Sequence, residues 1–345
     1  MERSPRPGVL LRRTTLPLLG LLTVCITPGA SAQESQPYTL RTQSNVVLVP
    51  TTVQTKQGEM IYTLKAEQFV VEDNGVPQTV HLDEDTDSLG LTMLVLVQCS
   101  RSAVMEQAHI AGLATMIDSI AGGAPRQIAV ASYGHDPTLL GDFSSDTGAT
   151  ADALAQMTPC DDSAAATMDA VAWGISLLEA RKDRNRHVIL LVSETRDHGS
   201  QTKPAKVIAD LGRTNTVVDS VAFSPGKTEV INDLHYGGGS GPVGLLVMAV
   251  NALKKNTAHE LAALSGGEYA NFTTRHGFDE GLLHLTNHVH NYYLLSFTPK
   301  TGPDGNPSPG MHSIRVRVPE YPDARLKFRE SYFSGSLDTV PPEAQ

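Results

Sequence analysis

Leu94-Val95-Leu96-Val97-Gln98-Cys99-Ser100-Arg101-Ser102 runs from an apolar, strand-like segment straight into a hydroxyl-rich turn. Open α/β sheets place their ligand sites at such turns, at the carboxyl ends of parallel strands. A hard divalent cation held there needs a carboxylate followed by hydroxyls. Gln98 stands where that carboxylate belongs. The stretch therefore predicts a binding scaffold whose metal site is damaged or repurposed.

Outward from it, strands and helices alternate. Leu91–Val97 is of strand length, and a helical stretch follows near Ser102–Ile120. Gln127–Tyr133, His187–Ser193, Thr216–Phe223 and Glu268–Phe272 read as further strands. Asp146–Gln156, Ser163–Arg181, Lys203–Leu211 and a long Val243–Leu264 read as helices, with Met168, Val171, Ile175 and Leu178 at helical spacing. Repeated β-then-α with apolar strands predicts an α/β fold, a doubly wound and mainly parallel sheet of Rossmann-like type covered on both faces.

The two ends of the chain are different. Residues 45–88 make a small β unit and linker, with Val47, Val49, Thr51 and Val53 alternating and Asn74-Gly75 as a hairpin signal. Residues 291–335 return to β, with Tyr293–Phe297, an alternating Ser313–Val318 and a last strand Arg325–Phe333. This tail is expected to pair with the N-terminal unit or to pack beside the central domain, residues 89–290. Residues 33–44 read as a loose segment and 336–345 as a disordered tail.

Arg3, Arg6, Arg12 and Arg13 precede the apolar run Leu16–Ile26 and the small-residue exit Pro28–Ala32. This is the pattern of a secretory signal peptide over residues 1–32, and it predicts a secreted or periplasmic protein. The run is too short to span a bilayer. Thr14-Thr15 fits a twin-arginine signal poorly, and Val24 is too bulky before a lipidated Cys25. Without residues 1–32, 23 basic and 36 acidic residues remain, a net charge of −13. That acidity argues against nucleic acid or anionic lipid as a partner. No later segment is long and apolar enough to predict a membrane span.

Three stretches resemble the von Willebrand factor A-related proteins of Acidobacteria, secreted chains of unassigned biochemical role. Leu64-Lys65-Ala66-Glu67-Gln68-Phe69-Val70-Val71-Glu72-Asp73-Asn74-Gly75-Val76-Pro77-Gln78 is similar to the family's L-x-x-E-D-F-x-V-x-E-D-G-x-P-Q segment. The others are Ile189–Ser193 entering the loop Glu194–Ser200, and Tyr292–Pro299 with the Arg315/Arg317 strand and Arg329–Phe333. The resemblance implies a von Willebrand A-like central domain and a metal-ion-dependent adhesion site. In the family that site uses Asp-x-Ser-x-Ser, a Thr and a further Asp. Position by position, Gln98 replaces the first Asp, Ser100 and Ser102 are retained, Ala165 replaces the Thr, and Glu194 replaces the last Asp. Ser100, Ser102 and Glu194 are then vestigial metal ligands. Mg²⁺ tolerates neither the lost charge nor the longer arm well, so no cofactor is expected beyond weak Mg²⁺ or Ca²⁺ binding. Asp161, Asp162 and Asp197 are candidates to rescue the site. Cys99 and Cys160 fall in loops the A-domain fold makes neighbours. They could form a disulfide if their Cα atoms come within about 7 Å, or remain separate buried thiols.

Other motifs carry less. His284, His288 and His290 have zinc-like spacing without the general-base Glu of a zinc protease. Ser100 and Ser102 lack a Gly-x-Ser-x-Gly elbow and an assignable His–Asp pair, and Ser102 reads better as a helix cap. The Gly237–Gly241 run lacks the ending of a phosphate cradle, Asn271-Phe272-Thr273 is a chance-prone glycosylation match, and Trp173 sits at a core position. The chain thus reads as an exported, non-enzymatic module binding a protein or peptide through Gln98, Ser100, Arg101, Ser102 and Glu194. The face would be built from loops 98–103, 134–138, 159–166 and 194–200, with Arg101 able to meet an acidic side chain. The alternative is a structural or assembly component of the cell envelope acting through its terminal β units. Oligomeric state is not legible.

Overall fold

All eight side chains of Leu91–Gln98 are buried, because this strand, β5 in chain order, lies in the interior of a six-stranded sheet. In the computed structural model, which describes residues 46–83, 90–106, 112–123, 125–223, 241–290, 292–300 and 307–339, β5 is flanked by β6 (Arg126–Tyr133) and β8 (Arg186–Glu194), both parallel to it. Outside these lie β7 (Pro137–Ser144) against β6, and β9 (Val217–Phe223) followed by β10 (Tyr269–Phe272) against β8. The spatial order is β10-β9-β8-β5-β6-β7, parallel except for β7.

Alternation along the strands divides the core in two. Leu94, Leu96, Ile189 and Leu191 face one cluster, with Val171, Ile175 and Leu178 of α3 (Thr167–Glu179), Leu211 of α4 (Pro204–Thr214), Leu246 of α5 (Gly241–Lys255) and Leu261 of α6 (Thr257–Ser265). Met93, Val95, Val97, Leu190 and Val192 face the other, with Ile117 of α1 (Leu113–Ala121), Ala153 of α2 (Thr147–Ala155) and Phe278 and Leu282 of α7 (Arg275–His290). Both faces of a parallel sheet must be covered by helices, which is why β5 carries no polar alternation.

The two ends of the chain share two antiparallel sheets. One has the order β13-β1-β11-β4, built from β1 (Val47–Gln54), β4 (His81–Asp83), β11 (Tyr293–Phe297) and β13 (Arg325–Phe328). The other has the order β14-β12-β2-β3, from β2 (Val70–Asp73), β3 (Val76–Pro77), β12 (Gly310–Arg317) and β14 (Ser331–Ser334). A third core joins them, with Val49, Val71, Phe297, Val316 and Tyr332 among its members. Met311 and Phe333 pack instead with the helices of the first cluster. Asn215, in the left-handed conformation that ends α4, takes the Leu48 N–H on Oδ1 and donates to the Val46 carbonyl, so one helix cap binds β1 to the α/β part.

Several elements depart from the sequence reading. The long helix Val243–Leu264 is two helices, because Asn256 caps α6 by accepting the His259 N–H. The helix from Ser163 begins only at Thr167, residues 163–166 being a loop. The last strand is two, β13 and β14. Strand β7 is absent from the reading altogether. Its Pro137 and Gly141 mask the pattern, and both are tolerated because β7 is an edge strand with an irregular register against β6. In the tail, Leu337–Thr339 forms a 3-10 turn. The signal peptide, the loose segment, residues 84–88 of the linker, residues 237–240 of the glycine-rich run and residues 340–345 lie outside the described residues. Among the described residues no helix is long and apolar enough to cross a membrane.

Candidate functional site

From β5 the chain proceeds to β6 and β7 on one side of the sheet, then returns to β8 on the other. The carboxyl ends of β5 and β8 therefore form the switch point of the sheet, the place where open α/β sheets hold ligands. Gln98 ends β5 and Glu194 ends β8. Both are buried, and so is Ser100.

The Gln98 amide nitrogen is the hub. Nε2 lies 2.7 Å from Ser100 Oγ, 2.9 Å from Ser102 Oγ and 3.1 Å from Glu194 Oε1. The other end of the same amide, Oε1, accepts the Glu194 backbone N–H at 2.8 Å. That bond fixes which way the amide points, since a flipped side chain would set its NH₂ against a backbone donor. Ser102 also donates to Glu194 Oε1 at 3.2 Å, and the two serine hydroxyls are 3.2 Å apart. An amide nitrogen has two hydrogens for three oxygens, so one contact is shared. The serine–glutamate bond offsets the deficit, and the other carboxylate oxygen, Oε2, lies 3.9 Å from His198 Nε2.

The surrounding loops are tied down separately. Cys99 and Cys160 form a disulfide with Cα atoms 5.2 Å apart, and the Cys160 N–H donates to the Cys99 carbonyl. Ala165 lies in the adjoining loop, where its N–H and carbonyl pair with the backbone of His198. Thr167, two residues on, is buried and 3.0 Å from the Tyr133 hydroxyl, whose pKa burial drives well above its ordinary value.

The three rescue carboxylates are engaged elsewhere. Asp161 pairs with Arg101 Nε at 2.7 Å, which raises the guanidinium pKa and holds the carboxyl below its usual range. Asp162 accepts the His135 N–H and packs so closely over Gly134 that a β-carbon there would collide with it. Asp197 caps α3 by accepting the Met168 N–H at 2.9 Å, and takes Ser200 Oγ on the same oxygen. Burial opposes ionisation of Asp169, yet the Thr202 side chain and the N–H groups of Gln201 and Thr202 together hold its pKa low.

Gln98, Ser100, Ser102 and Glu194 thus converge, with Ala165 in the neighbouring loop. Arg101 does not join them: its side chain turns outward to Asp161, and the pair is solvent-exposed. Two neighbours that the sequence reading did not single out are Val104 and Met105, 43% and 80% exposed on the 3-10 turn Arg101–Glu106. His284 sits 3.7 Å from Glu268, and only the helical backbone of His288 and His290 is described. Among the described residues no group of three or more His, Cys, Asp or Glu is placed to hold a metal ion.

No family model matches the chain, and no curated protein matches it either. Solved structures similar to it include proximal thread matrix protein 1 from the mussel byssus, in a form with a zinc-occupied MIDAS motif, at 11% identity and TM-score 0.45. That match covers 64% of this chain and half of the mussel protein. The conserved hypothetical protein BatB from Bacteroides thetaiotaomicron matches at 10% identity and TM-score 0.40, over 58% of this chain and 100% of that one. An aerotolerance-related membrane protein from Bacteroides fragilis matches at 12% and 0.38, over 57% and 99%.

Proposed function

We propose that the chain is an exported, non-enzymatic protein-binding module of von Willebrand factor A-related type, on a doubly wound domain, whose carboxyl-end face works without a cation. One observation carries the reading: the Gln98 amide nitrogen takes the place among Ser100, Ser102 and Glu194 where a metal would sit. Mg²⁺ and Ca²⁺ demand oxygen ligands, carboxylates foremost. Here a donor faces the oxygens, and the Glu194 N–H opposes the flip that would turn Oε1 inward. The residues present do not fit a tightly held divalent ion. Nor do they fit a hydrolase, since the serine hydroxyls meet an amide and a carboxylate rather than an imidazole base.

A face without a cation must hold its partner by other means. Met105 and Val104 supply apolar area, and the exposed Arg101–Asp161 pair can exchange Asp161 for a partner's carboxylate. The reading favours an acidic peptide or loop with an apolar anchor.

The metal half is tested by calorimetric titration of Mg²⁺ into the wild type and into the triple variant Gln98→Asp, Ala165→Thr, Glu194→Asp. Saturable binding is expected only in the variant, tighter by at least about tenfold. Micromolar Mg²⁺ affinity in the wild type would sink it. The binding half is tested by selecting peptides against the chain in chelator, then measuring affinities with Met105→Asp and Arg101→Glu. Each substitution is expected to weaken binding about tenfold or more, with no response to Mg²⁺. Unchanged affinities, or binding that requires Mg²⁺, would count against the face.

The envelope-assembly alternative finds support in Tyr62, Val76 and Tyr321, exposed at 62%, 48% and 41% on the terminal part of the chain. Deleting residues 291–345 cannot isolate that reading, because β1 and β2 would lose the strands they pair with. A Val76→Lys substitution on β3 leaves those pairings intact. Loss of peptide affinity in this variant, with Met105→Asp silent, would favour assembly through the terminal sheets.

A further inference from the structure

At the opposite end of the sheet from Gln98, the first residues of β8 and β9 meet β1 and β11 around a cavity of about 250 Å³. Its walls divide by chemistry. Leu48, Pro50, Val188, Val217 and Leu294 make an apolar side, and Arg186, Arg329 and the Tyr292 phenol a polar one. Arg329 is only 2% exposed, deeper than an arginine normally goes without a carboxylate. Its partners are all neutral: Nε donates to the carbonyls of Leu264 and Ser331, and Nη1 to Asn215 Oδ1 at 3.3 Å. Arg186 donates from Nη1 to the Tyr292 hydroxyl and stacks over that ring, while its Nε is buried with no partner among the described residues.

The guanidiniums of Arg329 and Arg186 therefore line one partly open cavity, which the exposed Arg184 also borders, and among the described residues neither of the two has a carboxylate in ion-pair range. The acidic groups on the same wall are occupied. Asp183 holds His187 and Thr92, and Asp219 accepts the Glu268 N–H. Burial pulls the Arg329 pKa down to about 10, which still leaves the group cationic at neutral pH. In a chain whose formal charge is −10, an interior pocket with unpaired positive charge is against the trend. The Leu264 and Ser331 carbonyls and the Asn215 side chain account for Arg329 Nε and Nη1, but not for a second cation on the same cavity.

We propose that this cavity binds a small organic monocarboxylate, its anionic head on Arg329 and Arg186 and its apolar body against Leu48, Pro50 and Leu294. Guanidinium forks match a carboxylate, and the volume lies just under the range of about 300–1,000 Å³ usual for small-molecule sites. A polyanion such as phosphate is disfavoured, because it would leave the apolar wall unused and face Asp183 and Asp219. The site is separate from the carboxyl-end face and stands whether or not that face binds a peptide.

The test uses the whole exported chain with hexanoate and benzoate as probes, against hexan-1-ol and inorganic phosphate, by calorimetry and ligand-observed NMR. Both carboxylates are expected to bind with dissociation constants of about 1 mM or tighter, and the alcohol and phosphate not to. Arg186→Gln should weaken hexanoate by about tenfold or more, and Leu48→Trp, which fills the apolar side, should abolish it. Thermal unfolding of each variant confirms that it is folded, and either one suffices. No saturable carboxylate binding, equal binding of the alcohol, preferential binding of phosphate, or unchanged affinity in a folded variant would overturn the proposal.

Discussion

Replacing Cys99 and Cys160 together by alanine is expected to lower the free energy of unfolding by up to about 4 kcal/mol, the chain-entropy value for a loop of this length. The bridge spans 61 residues, so the unfolded chain regains a large closed loop when it is cut. The native state also loses something local. Cys99 directly follows Gln98, and the segment 157–166 that carries Cys160 contains no helix or strand. Apart from the bridge, that segment is held to the end of β5 by backbone bonds from Cys160 N to the Cys99 carbonyl and from Arg101 N to the Asp162 carbonyl, and by the exposed Arg101–Asp161 ion pair. Reduction should therefore raise amide exchange at 160–162 more than in the sheet. Urea unfolding with and without dithiothreitol checks this, because the double variant should ignore the reductant while the wild type falls to meet it. A drop below about 1 kcal/mol, with exchange unchanged, would show that packing alone holds the loop.

The parts of this structure that sequence reading finds are those written in one local pattern. Leu91–Gln98 is apolar throughout because both faces are covered, and its length and its turn are visible without a partner. Gln98, Ser100 and Ser102 sit at its end and so come with it. Glu194 is found because β8 has the same character. What is hidden depends on residues that meet only in space. The start of α3 is set by Asp197, from the loop after β8, capping Met168, so a helical pattern running from Ser163 overshoots. The split at Asn256 is a local cap signal overridden by apolar spacing that continues through it. The outward turn of Arg101 depends on Asp161, sixty residues away. The cavity of Arg186 and Arg329 joins the base of the α/β sheet to strands from both ends of the chain, and nothing local in either arginine's neighbourhood announces it.

The same pairing of chain ends produces a buried charge cluster, and Asp73→Ala is expected to cost about 3–5 kcal/mol there, the range for removing one partner of a buried ion pair. Asp73 on β2 accepts the Tyr332 hydroxyl from β14 at 2.8 Å and lies 2.7 Å from His312 Nδ1 on β12. The other ring nitrogen of His312 lies 2.7 Å from the Ser308 carbonyl. Asp73, His312 and Tyr332 are all buried. With a carboxylate at one nitrogen and a carbonyl at the other, only the protonated ring can donate at both. Burial opposes that charge, but the Asp73 hydrogen bond, the Ser308 carbonyl and the Asp73 charge outweigh it, and the His312 pKa is raised. A histidine whose folded pKa exceeds its unfolded value of about 6.5 contributes stability that is complete below that value. The contribution is lost as pH rises through the folded pKa. The gap between wild type and Asp73→Ala should therefore be widest below about pH 6.5 and narrow as the pH rises above it. In His312→Gln the ring no longer titrates and that narrowing should vanish, although Asp73 and Tyr332 remain bonded. Urea unfolding of the variants below and above that pH decides the matter: a gap independent of pH would mean that His312 is neutral in the folded protein and that Asp73 serves Tyr332 alone.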